Sequence, residues 1–243
     1  MGVVYRAAQL DAEGQALREV ALKMVQPTFL RDPDFTRRFL REIRVTARLW
    51  NPHTITVHDT GQSETGQLDY AMELVEGPTL RGMLRRFEPL PVGRAVNIIG
   101  QVCEALAAAH GLPEPIVHRD LKPANIFIEN RQGQEWVKVG DFGIAKVVGE
   151  HSSGLTHTGA SPGTPRYMAP EQWKGKAIDG RADLYAMGVM LYELLTGQAP
   201  FAGEDGPLSL MYRHLYEPPP PLLASIPLGV RLQVEWLYHS HIW

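Results

Sequence analysis

The sequence predicts an α+β fold of two lobes, a small β-rich N-terminal lobe with one main helix and a larger, mostly helical C-terminal lobe. Three observations predict this fold. Short strand-like runs are concentrated before residue 76, a helix-breaking Glu76-Gly77-Pro78 follows them, and long helical patterns dominate the rest of the chain. The 243 residues are enough for one large domain or two small lobes.

The N-terminal lobe is predicted to contain four strands and one helix. Runs rich in β-branched, aromatic and other apolar residues predict strands at 3–5, 20–23, 55–58 and 70–75. A polar turn at 11–15 separates the first two strands. Apolar residues at helical spacing predict the main helix over 34–49, and Asn51-Pro52 ends it.

The C-terminal lobe is predicted to be built on three helices. Amphipathic or apolar patterns of helical length cover 92–110, 183–196 and 207–216. A loop-rich centre, 111–172, contains most of the unusual residues, and four prolines at 218–221 indicate an extended segment. The single cysteine, Cys103, lies in an Ala-rich run and is expected to be buried.

The composition excludes several classes of protein. Hydrophobic residues make up 44% and charged residues 21%, which are ordinary values for a folded globular protein and argue against disorder. A net charge of −3 gives no strong attraction to nucleic acid or to an anionic membrane. One cysteine cannot form an internal disulfide, and no apolar run is long enough to span a bilayer. We therefore expect a cytoplasmic protein with no nucleic-acid partner, although a longer form could be anchored to a membrane.

The loop-rich centre carries three motifs. They are His118-Arg119-Asp120-Leu121-Lys122-Pro123-Ala124-Asn125, Asp141-Phe142-Gly143 and Ala169-Pro170-Glu171. Each triplet alone is a weak signal because short strings recur by chance, whereas the eight-residue match followed by both triplets is very specific. In this order the motifs resemble the catalytic loop, the metal-binding loop and the end of the activation segment of eukaryotic-like protein kinases. Their details resemble the serine/threonine kinases of bacteria.

The resemblance extends over nearly the whole chain, from Gly2 to about Pro220. Residues 2–5 resemble the end of the glycine-rich loop, 20–23 the strand with the phosphate-binding lysine, and 70–77 the hinge that holds adenine.

The resemblance also implies how the chain is divided. We expect a kinase domain over 1–221, with a small lobe to about residue 72, a hinge at 73–77 and a large lobe at 78–221. The first strand of the family and the start of its glycine-rich loop are expected before Met1, so that the domain would be truncated there. Residues 222–243 are expected to form an atypical tail, because they match no pattern of the family.

The resemblance implies an enzyme that uses ATP with Mg²⁺, or Mn²⁺, to phosphorylate proteins. Asp141 and Asn125 would bind the metal through hard oxygen ligands. Lys23 would hold the α- and β-phosphates, and Asp120 would accept or orient the proton of the attacking hydroxyl. Lys122 would stabilise the charge that moves on the γ-phosphate in the transition state.

Further residues follow from the same resemblance. Glu42 would hold Lys23 in place, and Thr164 would bond Asp120 and Lys122. Because Lys122 lies two residues after Asp120, the resemblance implies specificity for serine and threonine. Residues expected to support the site structurally are His118, Arg119, Phe142, Gly143, Glu171 and Asp183.

The adenine pocket is expected to lie between the lobes. Val4 and Ala21 would cover the face of the base, and Met72 would close the back of the pocket. Backbone groups of Glu73 and Val75 would bond the adenine edge. Gly2 is expected to be the third glycine of the loop that covers the phosphates.

The polar stretch 151–161 is either a flexible surface loop or an activation loop. In the second interpretation, Thr156 and Thr158 are the expected autophosphorylation sites, since a phosphate there could pair with Arg119 next to the catalytic aspartate. Phosphorylation of one copy by another would then require at least a transient homodimer.

Simpler interpretations of single residues stay open. Glu42 could be a solvated helix charge, Asn125 a turn residue and Asp183 a helix cap. For the whole chain, the alternatives to an active kinase are a catalytically impaired scaffold with the same fold and a non-functional gene fragment.

Overall fold

A computed structural model of the chain describes residues 2–25, 33–63, 66–84, 88–142, 164–203 and 206–239. The predicted phosphosites Thr156 and Thr158, as well as Gly143, lie outside the described residues. Within these ranges the structure consists of an N-terminal sheet with one helix and a C-terminal part that is mostly helical. This confirms the predicted α+β class with two lobes.

The N-terminal sheet has four strands in the order β1-β2-β4-β3, all paired antiparallel. The strands are β1 (Gly2–Leu10), β2 (Ala16–Val25), β3 (Val57–Gln62) and β4 (Leu68–Glu73). The turn between β1 and β2 is closed by the Asp11 carboxylate, which accepts the backbone N–H groups of Glu13 and Gln15 at 3.0 and 2.8 Å.

Helix α1 (Pro33–Thr46) packs on this sheet through one apolar face. Phe35, Phe39 and Ile43 follow each other at spacings of four residues, so they line a single stripe. The stripe packs with Leu68 and Tyr70 of β4 in a small core of its own. The predicted helix over 34–49 is therefore present, although its last residues form a turn instead.

The C-terminal part contains six helices and one hairpin among the described residues. They are α2 (Leu80–Met83), α3 (Val92–His110), the strands β5 (Ile126–Arg131) and β6 (Gln134–Val139), α4 (Pro170–Trp173), α5 (Arg181–Thr196), α6 (Pro207–Tyr216) and α7 (Leu228–His239). Helices α3 and α6 have the predicted bounds, and α5 begins two residues earlier than predicted.

The β5–β6 hairpin lies inside the segment that was predicted to be loop-rich, and it corrects that prediction. Its two-residue loop is Gln132-Gly133, and both residues have positive φ, 53° and 85°. This is the backbone that tight hairpins need, and glycine adopts it without strain. Gly133 was the available signal of a turn. Because polar residues lie on both sides of it, the strands show no clear alternation of apolar and polar side chains.

The core of the C-terminal part is organised around α5, almost all of whose side chains are buried. Helix α7 packs on α5 with Val234 and Leu237 buried. The contact is so close that a Cβ on Gly188 would lie 2.9 Å from Leu237 Cβ. The segment after residue 221, in which no pattern was recognised, therefore contributes a helix to the core.

Two further findings concern the surface of the described residues. Cys103 is exposed, so the expectation that it is buried is wrong. The buried stripe of α3 includes Val102, Ala105 and Leu106, and Cys103 faces away from it, with its sulfur 3.3 Å from Met187 Sδ. None of the helices in the described part of the chain has the length and apolar character that crossing a membrane requires.

Candidate active site

Asp183, at the start of α5, binds the backbone of the segment that resembles the catalytic loop from the interior of the protein. Its carboxylate is fully buried and accepts the backbone N–H of His118 on Oδ2 and that of Arg119 on Oδ1, each at 2.8 Å. Arg119 has a φ of 66°, a left-handed conformation that non-glycine residues rarely adopt. Two charge-assisted bonds from one anchor stabilise this backbone. The cap interpretation of Asp183 fails, since Gly180 is the residue that caps α5.

A third bond to Asp183 comes from a residue that the sequence reasoning missed. His110, at the end of α3, places Nε2 2.8 Å from Asp183 Oδ2. A histidine at a helix end gives no signal of this contact, because the two residues are 73 positions apart in sequence.

His118 connects the catalytic loop to the metal-binding loop. Its buried ring donates from Nε2 to the Gly140 carbonyl at 2.9 Å, and its centre lies 4.8 Å from that of the Phe142 ring, with the two planes tilted by 49°. Nδ1 lies 3.4 Å from the backbone nitrogen of Asp120, which fits a neutral ring protonated on Nε2. The two predicted structural residues therefore lie together between the loops.

Asn125 ties the same two loops on the other side. Its side-chain nitrogen donates to the Asp120 carbonyl at 2.9 Å, and its own carbonyl accepts the Gly140 N–H at 2.9 Å. Because the nitrogen of the amide is engaged in this way, the amide oxygen faces the opposite side. Asn125 is therefore more than a turn residue, because these bonds connect it to both loops and orient its amide.

Asp120 and Lys122 form an ion pair within the loop. Lys122 Nζ lies 2.7 Å from Asp120 Oδ2, and both side chains are about one-tenth exposed or less. The catalytic carboxylate is therefore partly shielded from water, which strengthens its interactions with charges.

Lys23, on β2, makes its ion pair with Asp141 at 2.5 Å. Glu42, the predicted partner of Lys23, lies half-buried on α1. Burial disfavours the charged carboxylate, but the charge and hydrogen bond of Lys23 outweigh it, so the pKa of Asp141 lies below its ordinary value. Asp141 also has a positive φ, 61°.

The sheet places the predicted nucleotide residues on one face. In antiparallel strands, directly paired residues point to the same side, as do residues two apart. Val4 pairs with Lys23 and Lys23 with Tyr70, while Ala21 pairs with Met72. All five side chains therefore share a face, on which Val4 is half exposed and Ala21 is buried.

The predicted hinge begins at Glu73, whose backbone N–H donates to the Thr56 carbonyl at 2.9 Å. Of the two backbone groups of Glu73, the N–H is therefore engaged, and the carbonyl is the group that could bond an adenine edge. Its side chain forms an ion pair that the sequence reasoning missed, with Lys138 Nζ 2.6 Å from Oε1. Lys138 is 5% exposed and lies on β6, three residues before Asp141.

The segment after the third motif also contacts the catalytic loop. Gln172 donates to the Arg119 carbonyl at 2.8 Å and accepts the Ala169 N–H at 2.9 Å. This residue was not predicted, whereas its neighbour Glu171 was, and Glu171 is half-buried in α4. Thr164 begins a short 3₁₀ turn, and its side chain lies outside the described residues.

The oxygen donors of the site suit a metal ion that binds together with a nucleotide. Among the described residues, no group of three or more His, Cys, Asp or Glu side chains could hold a metal alone. One carboxylate, Asp141, and one oriented amide, Asn125, form an all-oxygen donor set. Mg²⁺ is commonly bound by one or two protein oxygens together with substrate phosphates, so the set suits such a complex.

The comparison with protein families agrees with this geometry. A family model described as "Protein kinase domain" matches residues 1–217. The chain belongs to the protein kinase family, whose members use ATP and a divalent metal ion and act on protein substrates.

Individual relatives carry more detailed names. The chain is 46% identical over 224 residues to "Serine/threonine-protein kinase pkn3" of Myxococcus xanthus. The matched region makes up 91% of this chain and 40% of that protein. It is 43% identical over 207 residues to "Serine/threonine-protein kinase PknB" of Mycobacterium tuberculosis, and that match covers 84% of this chain and 32% of that protein. The chain thus spans less than half the length of these relatives.

Proposed function

We propose that this domain transfers the γ-phosphoryl group of ATP to serine and threonine hydroxyls of proteins. The observation that carries the proposal is the joining of Asp120, Asn125 and Asp141 into one site by hydrogen bonds through Gly140 and His118. Phosphoryl transfer depends on positioning and on charge neutralisation, and this site supplies both.

Each residue has a role in the proposed reaction. Asp120 orients the substrate hydroxyl and accepts its proton, and Lys122 stabilises the charge on the transferred group. Asn125 and Asp141 hold the divalent metal, which neutralises phosphate charge when it is bound. Lys23 holds the α- and β-phosphates, and the three N–H donors of its ammonium allow it to keep its contact with Asp141 as well.

Glu42 is proposed as the partner of Lys23 in the nucleotide-bound state. Its half-buried position on α1, the helix that packs on the sheet carrying Lys23, supports this role. Mg²⁺ is proposed as the ion, with Mn²⁺ as an alternative, because hard oxygen donors suit both.

The division of the chain is also proposed. The small lobe runs to about residue 72, the hinge over 73–77 and the large lobe from 78 to 221. The pairing of Ala21 with Met72 and the bond of the Glu73 N–H support an adenine pocket between Val4, Ala21 and the hinge backbone at Glu73 and Val75. Gly2 and Glu171 keep their predicted roles at the phosphate loop and in the large lobe.

Specificity for serine and threonine is supported by Lys122 and by the names of the relatives. The bonds expected from Thr164 to Asp120 and Lys122, and autophosphorylation at Thr156 or Thr158 within a transient homodimer, remain proposals. Phosphopeptide mapping tests the last one, and phosphate found only at other positions would contradict it. The cytoplasmic location and the absence of a nucleic-acid partner likewise remain predictions.

The function is tested by phosphate transfer from labelled Mg·ATP to the chain itself and to a generic basic protein. The matched control is Asp120→Asn, which keeps the size of the side chain and removes its basic oxygen. Label that appears with the parent and disappears with the control supports the proposal. A folded parent that transfers no label would support the impaired scaffold, and a parent without a cooperative thermal transition would support the non-functional fragment.

A further inference from the structure

Tyr70 is a buried residue of the small lobe whose hydroxyl the proposed reaction leaves unexplained. It lies on β4 in the small core beneath α1 and is only 2% exposed. Its ring lies 6.1 Å from that of Phe39. A phenylalanine would fill the same space, so packing alone accounts for the ring and not for the hydroxyl.

The hydroxyl of Tyr70 reaches the carboxylate of Asp141. Tyr70 donates to Oδ1 at 3.3 Å, which is long for an O–H···O bond, while Lys23 binds the same oxygen at 2.5 Å. The Lys23 ammonium also lies 5.9 Å from the centre of the Tyr70 ring. Among the residues that the structure describes, the side-chain bonds from Tyr70 and Lys23 to the Asp141 carboxylate therefore both involve Oδ1.

The hydroxyl acts as a donor in this contact. An ionised carboxylate has only acceptor atoms, whereas a phenol carries an O–H, so the hydroxyl is the donor of this bond.

We propose that Tyr70 is a positioning residue for the metal, whose hydroxyl holds Oδ1 of Asp141 together with Lys23 and leaves Oδ2 as the oxygen for the ion. The inference rests on the proposed function, in which Asp141 binds the metal. Hydrogen bonds to a ligating carboxylate fix its orientation, and their loss commonly weakens metal binding by 10- to 100-fold. Because Tyr70 also touches Phe39 of α1, the same ring places the carboxylate relative to that helix.

The test is Mn²⁺ binding in the presence of ADP, followed by the loss of the electron paramagnetic resonance signal of the free ion. Tyr70→Phe removes the hydroxyl and keeps the ring. We expect the apparent dissociation constant for Mn²⁺ to rise about tenfold. The Mg²⁺ concentration that gives half-maximal phosphate transfer should rise similarly, while the KM for the protein substrate stays unchanged.

The matched control is Tyr185→Phe. Tyr185 is 3% exposed, and its hydroxyl lies 2.7 Å from Nδ1 of His214, a contact made within the large lobe. This variant also loses a buried hydroxyl bond, so it reports the general cost of such a loss. We expect its Mn²⁺ binding to equal that of the parent.

The outcomes separate this inference from the proposed function. Mn²⁺ binding by Tyr70→Phe that equals or exceeds that of the parent overturns the inference alone. Weakened Mn²⁺ binding by Tyr70→Phe, in a parent that binds Mn²⁺ with ADP but transfers no phosphate, supports the inference and overturns the function. A folded parent that binds no Mn²⁺ with ADP overturns both.

Discussion

At the scale of the residue, Asp183 illustrates how one side chain determines a backbone. Its two oxygens accept two consecutive N–H groups from inside the protein, and the second of these belongs to Arg119, with its unusual φ of 66°. Asp120 follows directly, so the orientation of the carboxylate proposed to be catalytic depends on a buried anchor 63 positions later in the chain.

Asp183→Asn should therefore reduce both stability and activity. The amide offers one acceptor oxygen in place of two, so a buried N–H of His118 or Arg119 loses its partner, at a cost of about 1–3 kcal/mol. We expect at least a tenfold lower kcat from the displaced loop. Urea unfolding and initial rates at saturating ATP measure the two effects. Asp179→Asn, at an exposed carboxylate that contacts the side chain and the backbone N–H of Arg181, should change both much less.

The ion pair of Lys138 and Glu73 is another largely buried polar contact whose loss should destabilise the fold. The Lys138 side chain is 7% exposed and that of Glu73 is 25% exposed. Lys138→Met leaves the carboxylate partly buried without its counter-charge, and we expect a loss of up to about 3 kcal/mol in the free energy of unfolding.

The double variant Glu73→Leu with Lys138→Met tests the cause of that loss. Because both charges are then removed, most of the lost stability should return. Equal destabilisation of the single and the double variant would mean that packing of the Lys138 side chain, and not the unpaired charge, is what matters.

At the scale of the element, the contact between α5 and α7 depends on one glycine. A Cβ at Gly188 would approach Leu237 Cβ to 2.9 Å, so Gly188→Ala forces the two helices apart. We expect a net loss of about 1–3 kcal/mol despite the better helix propensity of alanine.

Gly100→Ala in α3 provides the opposite case. No atom lies within 4 Å of the added Cβ, and the residue is exposed. Only helix propensity changes, so this variant should gain up to about 1 kcal/mol. Thermal unfolding of both variants gives the comparison, and a shift of the same sign in the two would refute the close-packing argument.

The elements also show which parts of the fold a sequence can predict. Helices α3, α5 and α6 were predicted because each has a long apolar pattern of its own. The β5–β6 hairpin was missed because apolar and polar residues alternate only weakly along its strands. Helix α7 was missed because its residues match no pattern of the family. Asp120, Asn125 and Asp141 were found from motifs, whereas the contacts of Tyr70, Lys138 and His110 join positions 65 to 73 residues apart and leave no local signal.

At the scale of the whole molecule, acid should weaken the fold. Burial lowers the pKa of His214 from 6.5 to about 4 in the folded state. Below pH 6.5 the unfolded chain therefore takes up a proton that the folded chain does not, and stability falls as the pH decreases toward 4. The lowered pKa of Asp141 acts in the same direction at still lower pH, because its stabilising charge is lost there.

The contribution of His214 can be measured separately. The full shift corresponds to about 3 kcal/mol at pH 4. Urea midpoints between pH 7 and pH 4 should fall less steeply for His214→Gln than for the parent, since glutamine takes up no proton. Parallel curves for the two proteins would show that other groups control the acid sensitivity.

The pairing of β1 with β2 has a practical consequence for labelling the protein. Alternate residues face opposite sides of the sheet, so one extra residue in β2 before Lys23 would turn the lysine away from the nucleotide side. The turn at 11–15 carries no such constraint, because its residues are mostly exposed and lie beyond the paired strands. A fluorescent or affinity tag inserted there would lengthen only a surface loop and would leave the register of Ala21 and Lys23 intact.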